Sequence, residues 1–160
     1  MRSRNGLLQR SLVAFFVRAA YGEYGFGIMF TTPIIFSGRV ERGEGMARRL
    51  GCPTANLAVQ EGTVIPALGV YVGETEFASR WYPSLVCVND GRDGSHLKVE
   101  VHLLHRDVDE LEGSLLVVRL FEKIRDLLPW EDEDHMSRVI TQDLRQADEW
   151  FKATAEHRPA

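Results

Sequence analysis

Two hydrophobic periods divide the chain. Between residues 34 and 124 apolar side chains fall in short β-rich runs punctuated by Gly and Pro, one of them, 97–104, strictly alternating at its start, and from Asp132 onward they recur at every third or fourth position. The runs "IIFSGRV" (34–40), "GVYVGETEF" (69–77), "YPSLVCVND" (82–90), "LKVEVHLL" (97–104) and "SLLVVRLFEKI" (114–124) are rich in β-branched and aromatic residues, which predicts five strands. No helical period intervenes, so a mainly β antiparallel barrel or sandwich is expected, and not a parallel α/β sheet. Met136, Val139, Ile140, Leu144, Ala147 and Phe151 form one stripe, which predicts a single C-terminal helix packing that face on the strands as core. Asp132 and Asp134 are its candidate N-caps, and the acids around them suit the positive end of the helix dipole.

Alternation also assigns faces. In "LKVEVHLL", Leu97, Val99, Val101 and Leu103 are expected in the core, while Lys98, Glu100 and His102 project from the other side of the strand. From this pattern alone Glu100 reads as a surface charge beside a lysine. His102 and His105 point to opposite sides and are expected at the surface, not as a metal pair.

Composition leaves this picture in place and narrows the chemistry. The chain has 160 residues, 44 % of them hydrophobic and 26 % charged, as in an ordinary globular domain. Its net charge of −4 argues against nucleic acid as a partner, and no run is long enough to span a membrane. The two cysteines, Cys52 and Cys87, are too few for a disulfide framework and read as small buried hydrophobes in a reducing, cytoplasmic setting. Residues 1–28 carry Arg2, Arg4, Arg10 and Arg18 against Glu23, a surplus of +3 that leaves −7 for the remainder. This head is read as a basic extension upstream of a natural start at Met29. A targeting peptide and an integral helix are the other readings. The domain is expected over residues 29–155, followed by a short tail over 156–160.

The familiar phosphate-loop, dinucleotide, zinc-protease and serine-hydrolase signatures are absent. What remains is the segment from Gly43 to Asn56. Gly43 and Gly45 allow backbone N–H groups to approach phosphate oxygens, and Arg48 or Arg49 adds charge. Pro53 stiffens the chain and holds Cys52 extended, so Thr54 and Asn56 follow on one side of an extended stretch. Two roles fit them: hard oxygen ligands for Mg²⁺ beside substrate phosphates, or caps of a turn.

Order adds to this. "GRVERGEGMARRLGCPTANL" (38–57), "GVYVG" (69–73), "VEVHLL" (99–104), "LEGSLLVVRLFEKIRD" (111–126) and "ITQDLRQADEWF" (140–151) follow one another as in the riboflavin kinase family, which the chain resembles from about residue 34 to 151. The Pro-Thr-Ala-Asn run and the Glu-x-His-Leu-Leu run are the specific motifs. The resemblance implies a small closed Greek-key antiparallel β-barrel with a C-terminal α-helix. It implies transfer of the ATP γ-phosphate to the riboflavin 5′-hydroxyl, giving FMN and ADP. It implies that Thr54 and Asn56 hold Mg²⁺ or another divalent cation together with nucleotide phosphates, and that Glu100 is the base. The glycine-bearing loop, with Gly43, Gly45, Arg48, Gly51 and Pro53, is then expected over the nucleotide, and Arg125 and Asn89 toward the flavin. The chain departs from the family pattern at Ala47, Cys52 and Leu127, and in the loop of "VNDGRDGSHLKVE" (88–100), which lacks a Pro-Thr pair and is shorter. A monomeric, stand-alone kinase is expected, since about thirty leading residues cannot hold a nucleotidyltransferase domain. A flavin- or nucleotide-binding module of the same fold, or a kinase for another small alcohol, are the alternatives. Joint presence of Thr54, Asn56 and Glu100 favours the enzyme.

Overall fold

The alternating runs close on themselves. A computed structural model describes residues 28–155 apart from residues 92, 93 and 95, and the side chains of residues 28, 29 and 31 are also left aside. The expectations for the head and for the tail over 156–160 lie outside the described residues. Six strands, β1 (Ile28–Glu41), β2 (Ala55–Val59), β3 (Gly69–Phe77), β4 (Arg80–Asn89), β5 (Lys98–Leu103) and β6 (Leu115–Arg125), form a closed antiparallel barrel in the order β1-β2-β5-β4-β3-β6. β3, β4 and β5 follow as adjacent antiparallel neighbours and β2 returns beside β5, which is the Greek-key arrangement. A four-residue helix, α1 (Met46–Arg49), sits between β1 and β2, and α2 (Glu133–Ala155) ends the described chain.

Two cores use the two faces of the strands. Inward-facing Phe36, Leu57, Val86, Val99, Val101 and Leu120 fill the barrel with their neighbours. A second cluster lies outside it, where Val70, Val72, Leu85 and Ile124 meet Ala147 and Trp150 of α2. Trp150 stacks on Phe121 with ring centres 5.4 Å apart, and its indole N–H donates to Glu122 Oε2 at 2.9 Å. The Asp132 carboxylate accepts the His135 amide at 2.7 Å, so Asp132 caps the helix as its sequence position predicts.

Three expectations are corrected. Leu97 lies outside β5 and is 55 % exposed, because the ladder begins only at Lys98, so its alternation has no strand to act on. The helix stripe is not all core: Met136 and Ile140 face a cavity, while the buried positions are Asp143, Ala147 and Trp150. The segment over residues 43–51, expected as a loop, contains α1. Among the described residues no helix is long and apolar enough to cross a membrane.

Candidate active site

The outward face of the barrel carries the site. Cα pairings place Asn56 opposite Glu100, Glu100 opposite Cys87, Cys87 opposite Val70 and Val70 opposite Arg125, a single row across β2, β5, β4, β3 and β6. Neighbouring strands stand about 4.8 Å apart, so Glu100 and Arg125 are separated by roughly 14 Å along the sheet. Every member of this row lines a cavity of about 730 Å³, a size that suits small-molecule ligands. One end is polar, with Thr54, Asn56 and the α1 loop. The other, at Val70 and Arg125, runs on into the apolar Leu127 and Leu128, and Trp130, Met136, Ile140 and Leu85 add further apolar lining.

Glu100 is fixed from both sides. The Thr54 hydroxyl donates to its Oε1 at 3.4 Å, and the Asn89 amide donates to its Oε2 at 2.8 Å. Asn89 is itself held, because its Oδ1 accepts the Gly91 amide at 3.0 Å. Each carboxylate oxygen thus has one donor and keeps a lone pair. Glu100 is half-buried in a cavity wall, so the plain surface charge suggested by alternation alone is not what the fold provides.

The polar end follows from local backbone chemistry. After α1 the Gly51 amide donates to the Arg48 carbonyl at 3.0 Å and the Cys52 amide to the Ala47 carbonyl at 2.9 Å, the paired bonds of a Schellman motif. That motif needs a left-handed residue at its centre, and Gly51 has φ 83°. Gly51 and Pro53 do not line the cavity; the first ends the helix and the second starts the run into β2. Gly43 does line it, and a Cβ added there would overlap the Asn56 amide nitrogen, so its bareness lets the loop close on Asn56. Gly45, with φ 73°, caps the start of α1 in the cavity wall.

Charge is arranged in two strengths. Arg48 Nη1 donates to Asp109 Oδ2 at 3.0 Å and Arg49 pairs with Glu133 at 3.2 Å, but all four side chains are more than half exposed. Such pairs contribute about 0.2–1 kcal/mol each, so α1 is only lightly tied across the cavity mouth. Arg125 forms a fork on Asp143 with Nε–Oδ1 2.8 Å and Nη2–Oδ2 2.7 Å, at side-chain exposures of 22 % and 6 %. This buried pair joins the end of β6 to α2, and with Nη1 donating to the Asp126 carbonyl at 3.0 Å, three of the five Arg125 N–H donors expected for a ligand are engaged within the protein. Four basic side chains, Arg42, Arg48, Lys98 and Arg125, face seven acids around the described wall: Glu41, Glu44, Asp90, Glu100, Asp109, Glu112 and Asp143. A bare polyphosphate meets net repulsion there, and a cation-complexed one meets less.

Both thiols sit in the wall. Burial, with Asp143 and then Glu100 adding to it, pushes the Cys52 thiol up to about 12. Burial also raises Cys87 to about 11, with the Asn89 amide pulling the other way. Both are therefore inert hydrophobes, as expected, although Cys87 is only half-buried. His102 differs from expectation. It lines the cavity, and its Nδ1 lies 2.8 Å from the Pro53 carbonyl oxygen, because a side chain two positions from Glu100 on the same strand must share its face. Trp130 and Leu128 were not foreseen, because they lie in the non-repetitive segment between β6 and α2, where no period exists to read.

The chain resembles known proteins in sequence and in fold. The sequence profile of the flavokinase family, riboflavin kinase, matches residues 30–151. A bifunctional riboflavin kinase/FMN adenylyltransferase of Mycoplasma pneumoniae is 31 % identical over 119 residues, covering 74 % of this chain and 43 % of the relative. The protein of the same description in Escherichia coli K12 is 32 % identical over 125 residues, covering 76 % and 39 %. The chain thus spans well under half the length of these curated relatives. Among solved structures, one from Streptococcus pneumoniae described as a macrolide-efflux protein superimposes with a TM-score of 0.66 at 29 % identity, over 74 % of this chain and 39 % of the other. Riboflavin kinase from Trypanosoma brucei superimposes at 0.56 with 17 % identity, over 76 % and 81 %, a likeness of fold. With the profile covering most of its length and the barrel shared, the chain belongs to the riboflavin kinase family.

Proposed function

We propose that the cavity transfers the γ-phosphate of ATP to the 5′-hydroxyl of riboflavin, giving FMN and ADP. One observation carries this: a strand-borne carboxylate, Glu100, is held by Thr54 and Asn89 beside the polar end of one cavity, on a row of side chains that runs on to an apolar end. The polar end is the place for the nucleotide, and the apolar floor at Cys87 and Val70, walled by Trp130 and Met136, suits a flat ring system. Glu100 is then beside the reacting hydroxyl. In the transfer, the hydroxyl oxygen bonds to the γ-phosphorus, the bond from that phosphorus to the bridging oxygen breaks, ADP departs and the hydroxyl proton passes to Glu100.

The donor set fits a divalent cation. Thr54 and Asn56 offer two neutral hard oxygens beside a carboxylate in an acid-rich wall, which suits Mg²⁺ completed by phosphates and water. Bound there, the ion neutralises polyphosphate charge. Thr54 and Asn56 then orient the nucleotide against Glu100, Gly43 and Gly45 let the loop lie close above it, and Arg48 exchanges its weak acidic partners for phosphate. Arg125 bounds the flavin end through the orientation that Asp143 gives it, and Asn89 reaches that end through Glu100.

The decisive assay incubates the protein with riboflavin, ATP and Mg²⁺ and separates FMN from riboflavin. Wild-type protein should form FMN. Glu100→Gln should lose about 10²–10⁴ in kcat while unfolding at a similar temperature, since general base catalysis supplies that range. A fully active, folded Glu100→Gln protein removes Glu100 from the mechanism.

A further inference from the structure

We infer that His102 is a positioning residue that sets the nucleotide-binding segment against Glu100 by gripping the peptide before Thr54. This rests on the kinase function proposed above.

The β2–β5 ladder supplies the starting point. Its Cα pairs run Leu57↔Val99, Asn56↔Glu100 and Ala55↔Val101, and stop there. Pro53 has no N–H to continue the ladder, so nothing from the backbone of β5 holds the chain at Pro53 and Thr54. The next cavity-facing side chain along β5 is His102, and it takes over: its Nδ1 lies 2.8 Å from the Pro53 carbonyl oxygen. A carbonyl only accepts, so Nδ1 carries the proton. Thr54 is thereby fixed from two directions, by Ala55 in the ladder and by Pro53 under the imidazole. Its hydroxyl can then stay on Glu100 at 3.4 Å, a long bond that a small rotation of the Pro53–Thr54 peptide would break. Glu100 and His102 thus act as a pair spaced two apart on one strand face, the first facing the reaction and the second placing the group beside it.

The variants His102→Phe and His102→Asn separate this role from simple packing. Phenylalanine keeps the ring and loses the donor; asparagine puts an amide N–H near the position of Nδ1. For His102→Phe we expect the affinity for Mg·ADP, measured by calorimetry, and kcat/KM for ATP each to fall about tenfold, the worth of one oriented hydrogen bond. The riboflavin KM should stay within about twofold, and His102→Asn should recover most of both losses. Nitrogen-15 spectra of the wild-type chain should show the His102 Nδ1 protonated.

A folded His102→Phe protein with unchanged Mg·ADP affinity overturns the inference, as does a folded His102→Asn no better than His102→Phe, or an Nδ1 without its proton. If His102→Phe does not fold, the asparagine variant and the spectrum decide. Wild-type protein that binds Mg·ADP but forms no FMN defeats the kinase function and leaves His102 to be judged on affinity; wild-type protein that binds no Mg·ADP overturns both.

Discussion

The two ends of the cavity are built by opposite means. The polar end is local: Gly43 to Asn56 is one continuous segment, shaped by a Schellman turn at Gly51, a proline and a short ladder to β5. The apolar end is assembled from distant pieces, with Val70 from β3, Leu85 from β4, Trp130 from the segment before α2, and Met136 and Ile140 from α2 itself. Fixed directions matter where charge is handled, and hydrogen bonds give them, within the segment at Gly51 and from β5 at Pro53 and Thr54. Shape alone serves where a ring is to be covered, and side chains from anywhere in the chain can supply it.

The comparison is most sharply broken at the outer boundary of the apolar end, the Arg125–Asp143 pair. Asp143→Ala leaves a largely buried guanidinium without its partner, so we expect a loss of about 3 kcal/mol in stability, read from urea unfolding. The apolar end should lose order while the polar end survives, so riboflavin binding should weaken more than Mg·ADP binding. Equal losses at both ends would show the cavity to be one cooperative unit.

A crossed pair of variants gives the next largest effect. Thr54→Ala or Asn56→Ala should raise the KM for Mg·ATP about tenfold or more and shift the Mg²⁺ dependence, with the riboflavin KM nearly unchanged. Trp130→Ala should do the reverse, raising the riboflavin KM about fivefold through the loss of one aromatic contact, worth about 1 kcal/mol. If each variant affected both substrates alike, the division of the cavity would fail.

The effect least felt near neutral pH is expected from the two thiols. Cys52 and Cys87 titrate near 12 and 11 in the folded chain, above the ordinary 9.0 for a thiol, chiefly because both are buried. Below pH 9 both states keep the thiols protonated and the contribution to stability is fully present. Between pH 9 and 12 the unfolded chain ionises first, so stability falls as pH rises. Denaturant midpoints measured over this range should decline, and less steeply in Cys52→Ala than in wild type. An equal slope in that variant would detach Cys52 from the alkaline loss.

Much of the fold was legible because strand and helix periods are written in adjacent residues. β3 was expected over residues 69–77 and is found there, and Asp132 caps α2 as its type and place require. β2 was foreseen only as an extended stretch, since five residues between a turn and a loop are too few for a period to show. The motif residues Thr54, Asn56 and Glu100 were recognisable by order and spacing. Their contacts were not, because a period names the face on which a side chain lies and is silent about what lies across from it.

By itself, then, the sequence determined the alternation that buries Val99 and Val101 and turns Glu100 outward, the turn that Gly51 permits, the stiff entry at Pro53 and the family to which these belong. Only the tertiary structure decided that His102 meets the Pro53 carbonyl, that Asn89 meets Glu100, that Arg125 is bound by Asp143, and that Trp130 and Met136 close the apolar end. The physical reason is range. Backbone preferences and side-chain periods act over a few residues, whereas these contacts join positions brought together only when barrel closure and the packing of α2 make their shared burial favourable.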